Sequence, residues 1–466
     1  MEFINTGIEG LDKILMGGFV KGHQYLLVGP PGSGKTILGA VFCMEGVKNN
    51  EKSIYITVEE PPLNIRNNLR NLNIELEGVE FLDATPKETS NIWSIRREMA
   101  EEDILFGEIY LNLEHLKSVI KEIAKKEKIS RIVVDSISTL TSFYDSEYKT
   151  RRAIIDLVNF FKSLGCTALF IAEEKSYATM LEYLVDGVLK LAKKDTQIQL
   201  KIEKVRGQRF MLGTHTVSIV EGKGIFIYPN YAVYEHVTVP KIEVSSEVAK
   251  FGVKEIDSAL GGGLERGTLT LLAGNTGTGK TLLSLQFLIN GVKNKEEGLL
   301  IFLEGTKSKL ATLLEGFNID IKKLESEGLR IHEVDPYNLD LNKLTATIVD
   351  FLCNTNIKRF VLDGLRNLEI KYSMAEINEF THMLNGVVHL NKLTGIVTRE
   401  IPEVTGQLKF TEAGISYNFD NLILMRYSEL AEKITKTFAV IKVARRQFSD
   451  KVYKYKITNK GFEFIE

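Results

Sequence analysis

The sequence predicts an α/β protein of two tandem domains. Each domain is expected to have a mostly parallel central sheet, helices on both faces of that sheet and an antiparallel extension. Three observations predict this class: the chain repeats itself at the scale of a domain, apolar segments of strand length alternate with amphipathic segments of helix length in each copy, and both copies become rich in strands near their ends.

The repeat is found by aligning the chain with itself. Residues 6–49 match residues 251–294 without a gap, and 19 of these 44 positions are identical. The offset of 245 residues (280 minus 35) is too long for a solenoid unit, so a whole domain is duplicated. The segment between Pro229 and Lys250 has no helical period and is interpreted as a linker. We therefore predict domains at residues 1–236 and 237–466.

The strands of both copies are apolar at nearly every position. The first copy contains QYLLVG, SIYITV, RIVVDS and TALFIA, and the second contains LTLLAG, GLLIFL, RFVLDG and TGIVTR. Strands of this kind are buried on both faces, as in a parallel sheet covered by helices. The later segments DGVLKLAKK and IQLKIEKV, with DNLILMRY and TFAVIKV in the second copy, predict the antiparallel extension.

Composition excludes several classes of protein. The chain has 466 residues, a formal net charge of −2 and three scattered cysteines. The near-neutral charge makes nucleic acid an unlikely partner, and the cysteines indicate neither a disulfide framework nor a zinc site. Because there is no signal-peptide pattern and no run of 18 apolar residues, we expect no membrane span and a cytoplasmic location.

Each copy carries a glycine-rich loop, GPPGSGKT or GNTGTGKT, between an apolar strand and an amphipathic helix. Glycines let backbone N–H groups approach phosphate oxygens, and the helix N-terminus favours negative charge. A turn that binds nothing is the alternative, but two such loops in register favour ATP as the ligand. The predicted nucleotide-binding residues are Gly29, Pro30, Pro31, Gly32, Ser33, Gly34, Lys35 and Thr36, with Gly274, Asn275, Thr276, Gly277, Thr278, Gly279, Lys280 and Thr281.

Acidic residues at strand ends complete the predicted chemistry. Asp135 and Asp363 end apolar strands, where a carboxylate serves either as a helix cap or, with Thr36 and Thr281, as part of a Mg²⁺ site. Three glutamates end the neighbouring strands, where a carboxylate could orient and deprotonate a water or form only an exposed acidic turn. These candidate catalytic residues are Glu59, Glu60 and Glu304.

These motifs together resemble the KaiC family of RecA-like ATPases, over nearly the whole chain and in both copies. The resemblance extends to TGIEGLDKILMGGFVKGHQYLLVGPPGSGKT, to FGVKEIDSALGGGLERGTLTLLAGNTGTGKT and to the pair Glu59–Glu60. It implies RecA-like domains, ATP and Mg²⁺ as ligands, and a ring of six chains in two tiers with ATP between neighbouring subunits. The segment KVRG resembles the K-x-R-G element of the family, so Lys204 and Arg206 are expected to reach the nucleotide of a neighbouring chain.

The second copy departs from the family pattern. Gly305 stands where a second glutamate is expected, and KVARRQ stands where K-x-R-G is expected, so that Lys442 pairs with either Arg445 or Arg446. Ser416 matches a serine that the clock protein of the family phosphorylates, whereas Tyr417 replaces the adjacent threonine. Ser416 could equally be an ordinary residue at a strand edge.

We expect an ATP-hydrolysing ring protein that acts as a regulatory or signalling module on a partner protein that the sequence does not identify. Serine autokinase activity at Ser416 is a further possibility. A nucleic-acid-dependent ATPase of the RecA, RadA or DnaB type is the alternative, and a scaffold that binds ATP without hydrolysing it is a third. The first copy is expected to carry most of the hydrolysis.

Overall fold

The computed structural model describes residues 1–85, 96–98, 104–105, 113–141, 146–173, 176–194, 196–221, 224–231, 247–335, 337, 339–401, 415–430 and 433–465. The chain divides into two compact units, Met1–Val233 and Tyr234–Glu466. The predicted domain boundary between residues 236 and 237 lies outside the described residues. Each unit is therefore described by itself.

The first unit alternates strands and helices before it becomes all-β. Its elements are β1 (Phe3–Ile4), α1 (Leu11–Ile14), β2 (Phe19–Val20), β3 (Gln24–Val28), α2 (Lys35–Lys48), β4 (Lys52–Thr57), α3 (Pro62–Arg70), β5 (Glu80–Asp83), β6 (Arg96–Glu98), β7 (Ile104–Leu105), α4 (Leu113–Lys126), β8 (Ile129–Asp135), α5 (Ile137–Thr141), α6 (Glu147–Leu164), β9 (Thr167–Ala172), α7 (Ser176–Leu184), β10 (Gly187–Lys194), β11 (Gln197–Val205), β12 (Thr214–Val220) and β13 (Gly224–Tyr228).

The main sheet of the first unit has a parallel centre. Its strand order is β13-β12-β11-β10-β3-β9-β8-β4-β5-β6-β7. The six strands from β10 to β5 in this order pair in parallel, and the strands outside them pair antiparallel. The antiparallel extension that the sequence predicts is therefore present beyond β10, and β6 and β7 add a second extension at the other side.

The second unit repeats this plan. Its elements are β14 (Val248–Ala249), α8 (Lys254–Ala259), β15 (Leu264–Glu265), β16 (Leu269–Gly274), α9 (Lys280–Lys293), β17 (Glu297–Phe302), α10 (Lys307–Glu315), α11 (Ile321–Ser326), β18 (Leu329–Glu333), α12 (Leu341–Asn354), β19 (Ile357–Asp363), α13 (Leu365–Lys371), α14 (Met374–Leu390), β20 (Thr394–Glu400), a 3₁₀ turn (Ile415–Asn418), β21 (Asn421–Leu430), β22 (Lys433–Lys442), β23 (Val452–Thr458) and β24 (Gly461–Ile465). The order β18-β17-β19-β20-β16-β21-β22-β23-β24 is parallel as far as β21 and antiparallel beyond it.

Helices cover both faces of each sheet, as predicted. In the first unit, Leu26 and Ile132 on one face join a core cluster with residues of α4, α6 and α7, whereas Gly39 of α2 lies over Val133 and Ile171 on the other face. In the second unit, α9 shares a core cluster with the sheet, and α14 packs on the opposite face, where Val388 lies beside Gly395 of β20. The predicted α/β fold class is confirmed.

A buried histidine predicts how the stability of the first unit depends on pH. His215 on β12 is fully buried; its Nδ1 accepts the N–H of Asn230 at 2.9 Å, and its Nε2 lies 3.2 Å from the carbonyl oxygen of Met211. Both contacts suit the neutral ring with its proton on Nε2. Burial lowers the pKa of His215 to about 4, and the Met211 carbonyl offsets part of this shift.

The unfolded chain should therefore take up a proton on His215 near pH 6.5, whereas the folded chain does so only near pH 4. Stability from this residue is present above pH 6.5 and is lost as the pH falls toward 4, with about 2 kcal/mol lost between pH 7 and pH 5. Urea unfolding of the wild type and of His215→Gln at both pH values tests this. Equal pH dependence in the two proteins would contradict it.

Candidate nucleotide sites

The two glycine-rich loops lie at the carboxyl edge of their sheets, by which we mean the side at which the parallel strands end. The first loop joins β3 to α2, and the second joins β16 to α9. Gly34 and Gly279 immediately precede the two helices with φ of 89° and 99°. Only glycine adopts such angles readily, so the chain can enter the helix with its first N–H groups facing the loop.

The lysine of each loop folds back over the loop itself. The Nζ of Lys35 donates to the carbonyl oxygens of Gly29 at 2.8 Å and Pro30 at 2.9 Å, and the Nζ of Lys280 donates to the carbonyl oxygen of Asn275 at 3.0 Å. Burial lowers the pKa of both amines, and nearby carboxylates raise it in part. A positive charge is therefore held against each loop, as phosphate binding requires.

The predicted metal ligands of the first unit lie together. The hydroxyl of Thr36 donates to Oδ2 of Asp135 at 2.8 Å, and the hydroxyl of Tyr55 donates to the same oxygen at 2.5 Å. Burial raises the pKa of Asp135, and the hydrogen bonds from Tyr55 and Thr36 offset part of the rise. Hydroxyl and carboxylate oxygens are the ligand types that Mg²⁺ prefers, so this pair fits the ion.

The residues of the second unit also fit a Mg²⁺ ion, and the observation that supports this is a carboxylate oxygen without a partner among the described residues. Asp363 is buried; its Oδ1 accepts the hydroxyl of Thr398 at 2.5 Å, whereas its Oδ2 has no hydrogen-bond partner within the described residues. An orphaned buried carboxylate oxygen is costly unless a cation or a water completes it. Thr281 lies close enough for its hydroxyl to lower the pKa of Asp363, which burial raises. Neither site has three His, Cys, Asp or Glu ligands among the described residues, so Mg²⁺ would also need phosphate or water oxygens.

The two candidate catalytic glutamates of the first unit have separate surroundings. Oε1 of Glu59 accepts the hydroxyl of Thr139 at 2.6 Å and also that of Ser136, both of which follow β8. Oε1 of Glu60 accepts the amide of Asn68 at 2.9 Å. The hydroxyls from two positions therefore fix Glu59 beside the end of β8, which Asp135 forms, while Glu60 faces α3.

In the second unit, Glu304 occupies the position that corresponds to Glu59, but its neighbouring residues differ. Gly364 follows Asp363 where Ser136 follows Asp135, so the hydroxyl that holds Glu59 has no counterpart at that position. Partial burial and then the charge of Asp363 raise the pKa of Glu304 to about 7, although solvent reaches the side chain. Glu304 thus has the pKa of a usable base but less support for its orientation.

A cavity of about 260 Å³ adjoins the first loop, and the sequence did not predict it. Its polar side includes Lys35, Thr36 and Glu60, and its apolar side is formed by Ile65, Leu69, Leu72 and Ile219. The first three apolar residues repeat at helical spacing along and after α3, which is the only local signal of a buried face. Ile219 comes from β12, so the cavity exists only in the folded unit. An apolar slot beside a phosphate loop suits a planar nucleobase.

The predicted basic pair Lys204 and Arg206 lies at the opposite, amino edge of the sheet, where the parallel strands begin. Val205 pairs with Gly187, which in turn pairs with Tyr25 at the start of β3. A strand rises about 3.3 Å per residue, so Gly29 lies roughly 13 Å beyond Tyr25 in the direction of β3. Across the sheet, β11 and β3 are separated by two strand spacings of about 4.8 Å each. The structure therefore does not bring this pair to the nucleotide site of its own unit.

Comparison with known proteins agrees with this geometry. The family model described as "ATPase: KaiC" matches residues 4–232 and, a second time, residues 249–466. The chain belongs to the KaiC ATPase family. Among its relatives are the circadian clock protein KaiC3 of Synechocystis sp., 28% identical over 99% of this chain and 91% of the relative, and the circadian clock oscillator protein KaiC of Thermosynechococcus vestitus, 29% identical over 99% and 88%. The KaiC of Synechococcus elongatus is 26% identical over 98% and 88%.

The basic element of the second KaiC domain begins in the same register as that of the first domain. Lys442 pairs with Leu422 at the start of β21, and Lys204 pairs with Val188 at the start of β10. Each lysine donates a hydrogen bond to a loop carbonyl. Lys442 donates to that of Phe419 at 2.6 Å, and Lys204 donates to that of Val185 at 3.0 Å. Counting on from the lysines, Ala444 has the place of Arg206 and Arg445 that of Gly207. The φ of 62° at Arg445 matches the 77° of Gly207. The guanidinium of Arg445 lies 4.0 Å from Glu265.

Within the described residues of this KaiC-family chain, no helix has the length and apolar character needed to cross a bilayer. Ser416 is half-buried and lies in the 3₁₀ turn before β21, where Asn418 of the same turn donates to the carbonyl of Asn378 at 3.1 Å and to the hydroxyl of Thr381 at 2.8 Å in α14.

Proposed function

We propose that the chain is a Mg²⁺-dependent ATPase that assembles into a ring of six chains, with each nucleotide bound between neighbouring subunits. One observation carries this proposal. The loop, acids and metal ligands of the first unit lie at the carboxyl edge, whereas Arg206 lies at the amino edge with its guanidinium half exposed. A cation that cannot reach its own site but is presented to solvent is suited to serve the site of another copy.

In the proposed reaction, the loop N–H groups and Lys35 bind the phosphates, and the apolar side of the cavity receives the base. Glu59, held by Ser136 and Thr139, accepts a proton from the attacking water. The water oxygen bonds to the γ-phosphorus while the bond from that phosphorus to the bridging oxygen breaks, and ADP leaves with the bridging oxygen and its electron pair. Arg206 of a neighbouring chain stabilises the negative charge on the departing phosphoryl group. Mg²⁺, held by Thr36 and Asp135, would neutralise charge on the phosphate oxygens.

The two units are proposed to differ in activity. Binding depends on the loop, its lysine and the metal ligands, and these are present in both units. Hydrolysis also depends on an oriented base and a cation from the neighbouring chain, and in the second unit Gly305, Gly364 and Ala444 replace Glu60, Ser136 and Arg206. The second unit would then hold ATP with slow turnover. The output would be a nucleotide-dependent change of shape that a partner protein reads.

Serine autokinase activity at Ser416 stays a prediction. Intact-mass measurement after incubation with ATP, with Ser416→Ala for comparison, tests this activity, and an unchanged mass of the wild type would contradict it.

Arg206→Ala tests the proposed assembly. We expect it to lower phosphate release by roughly 10³-fold, the usual effect of removing a cation supplied by a neighbouring subunit, and to weaken ATP-dependent assembly. The measurements are steady-state phosphate release and the mass of the assembly with and without ATP. Arg209→Ala, which removes an exposed arginine from the same segment, is the matched control.

A wild-type chain that stays monomeric at micromolar concentration with saturating ATP would refute the ring. A nucleic-acid-dependent ATPase would instead show phosphate release stimulated by single-stranded DNA and binding with a steep salt dependence. We expect neither response.

A further inference from the structure

The loop before β10 holds Arg206 in place. The acidic residue of this loop, Asp186, is fixed by the backbone on two sides: its N–H donates to the carbonyl of Gln24 at 2.8 Å, and its carbonyl accepts the N–H of Arg206 at 2.8 Å. Its Oδ2 also accepts the N–H of Gln24 at 3.0 Å. Asp186 is thereby attached to the first residue of β3 and to the end of β11, so its remaining carboxylate oxygen has a fixed position.

That remaining oxygen contacts the guanidinium of Arg206. Nη1 of Arg206 lies 3.3 Å from Oδ1 of Asp186, and Nη2 donates to the carbonyl oxygen of Tyr183 at 3.0 Å. The side chain of Asp186 is only 12% exposed, whereas that of Arg206 is 51% exposed. A guanidinium has five N–H donors, so two contacts fix its plane and leave donors for an oxyanion.

Asp186 does not cancel the charge of Arg206, because a second cation shares its carboxylate. Nζ of Lys162 lies 3.3 Å from the same Oδ1. The local sum of these three side chains is one positive charge, which is what a phosphoryl group in transfer would meet. The contact with Asp186 therefore orients the guanidinium of Arg206, and the three side chains together keep a net positive charge.

The second unit provides a natural comparison. Asp420 makes two of the three backbone contacts of Asp186, since its Oδ2 accepts the N–H of Leu269 at 2.9 Å and its N–H donates to the carbonyl of Leu269 at 2.9 Å. The N–H of Ala444 donates instead to Oδ1 of Asn421 at 3.2 Å. Here, however, the carboxylate contacts Nε2 of His389 at 3.2 Å, and Ala444 takes the place of Arg206. The contacts of this aspartate to the first residue of the central strand are therefore duplicated, whereas Ala444 has no guanidinium for Asp420 to hold.

We propose that Asp186 is a positioning residue for Arg206, which it presents in a fixed orientation to the nucleotide of the neighbouring chain. This inference rests on the proposed action of Arg206 across the subunit boundary. Orientation matters because displacement of a catalytic group by about 1 Å can cost roughly 100-fold in rate. The opposite arrangement, in which Asp186 restrains Arg206 from reaching the neighbour, predicts the opposite effect of removing the carboxylate.

The test is a double-mutant cycle in the full-length chain, with Asp186→Asn, Arg206→Ala and their combination. Asparagine keeps the size of Asp186 and an acceptor for the Gln24 N–H. We expect Asp186→Asn to lower phosphate release at saturating ATP by roughly 10- to 100-fold and to weaken ATP-dependent assembly, but to have no further effect in the Arg206→Ala background. Asp420→Asn removes the matching carboxylate where no arginine is held, and should change phosphate release by less than about twofold.

Equal loss from Asp186→Asn with and without Arg206 would mean that Asp186 has only a structural role, and would overturn the proposal. Unchanged or raised activity of Asp186→Asn, with Arg206→Ala strongly impaired, would also overturn it while leaving the function of Arg206 intact. An unaffected Arg206→Ala protein would refute the underlying function as well. Should Asp186→Asn not fold, Arg206→Lys provides the second test, because it keeps the charge but not the two-point contact. We expect phosphate release by Arg206→Lys to be roughly 10-fold or more below that of the wild type, and wild-type phosphate release by this variant would contradict the proposal.

Discussion

Replacement of Glu59 and Glu60 together by glutamine is expected to lower the ATPase activity of the whole chain about 100-fold or more, the usual contribution of a general base. Glutamine keeps the shape of each side chain and removes only its ability to take a proton. Hydrogen bonds from Ser136 and Thr139 hold Glu59 in place, so its carboxylate is the better oriented base of the two units.

Glu304→Gln is expected to lower phosphate release much less. The pKa of Glu304 is raised to about 7, which suits a base, but Ala444 stands at the position that corresponds to Arg206 when counted from Lys442. If no cation from a neighbouring chain reaches the γ-phosphate of the second unit, proton transfer to Glu304 is not the step that limits hydrolysis there. ATP binding by both variants, measured separately, serves as the control for folding. The reverse ranking of the two variants would refute this account, and equal losses would show either that the units are coupled or that the second site is intact.

Lys35→Ala and Lys280→Ala are each expected to remove one ATP from the stoichiometry of binding. The wild type should bind two ATP per chain, each single variant one, and the double variant none at concentrations that saturate the wild type. Each lysine is the cation held against its own loop, at 2.8 Å and 3.0 Å from loop carbonyls. Without it, the loop N–H groups alone face the phosphate charge.

The matched controls are Lys48→Ala and Lys293→Ala, which remove exposed lysines from the last turns of α2 and α9. Equilibrium binding of labelled ATP measures the stoichiometry. Undiminished affinity in the Lys35→Ala/Lys280→Ala protein would mean that the glycine-rich loops are not the nucleotide sites.

Local sequence patterns predicted which residues lie together at the first candidate site. The loop, Thr36 and Asp135 belong to motifs in which strand, turn and helix follow one another directly, and the structure brings Thr36 and Asp135 into contact. The apolar strands likewise predicted the parallel sheet, because a strand that is buried on both faces is apolar at nearly every position, and this can be seen in each strand separately.

Features that depend on tertiary contacts could not be predicted in this way. The cavity needs Ile219 from β12 next to Leu69 of α3, and no spacing along the chain joins these residues. The register of the second basic element also depends on tertiary pairing. The sequence KVARRQ left Arg445 and Arg446 as alternatives; with Lys442 paired to Leu422, counting along the chain puts Ala444 in the place of Arg206, and the positive φ of Arg445 agrees with that of Gly207.

Unequal turnover at the two sites can be measured as phosphate release from Lys35→Ala and Lys280→Ala, each at an ATP concentration that fills the site that remains. We expect Lys280→Ala, which keeps the first site, to retain most of the wild-type rate of phosphate release, and Lys35→Ala to bind one ATP per chain and to release little phosphate. A Lys35→Ala protein that keeps most of the wild-type rate would contradict this expectation.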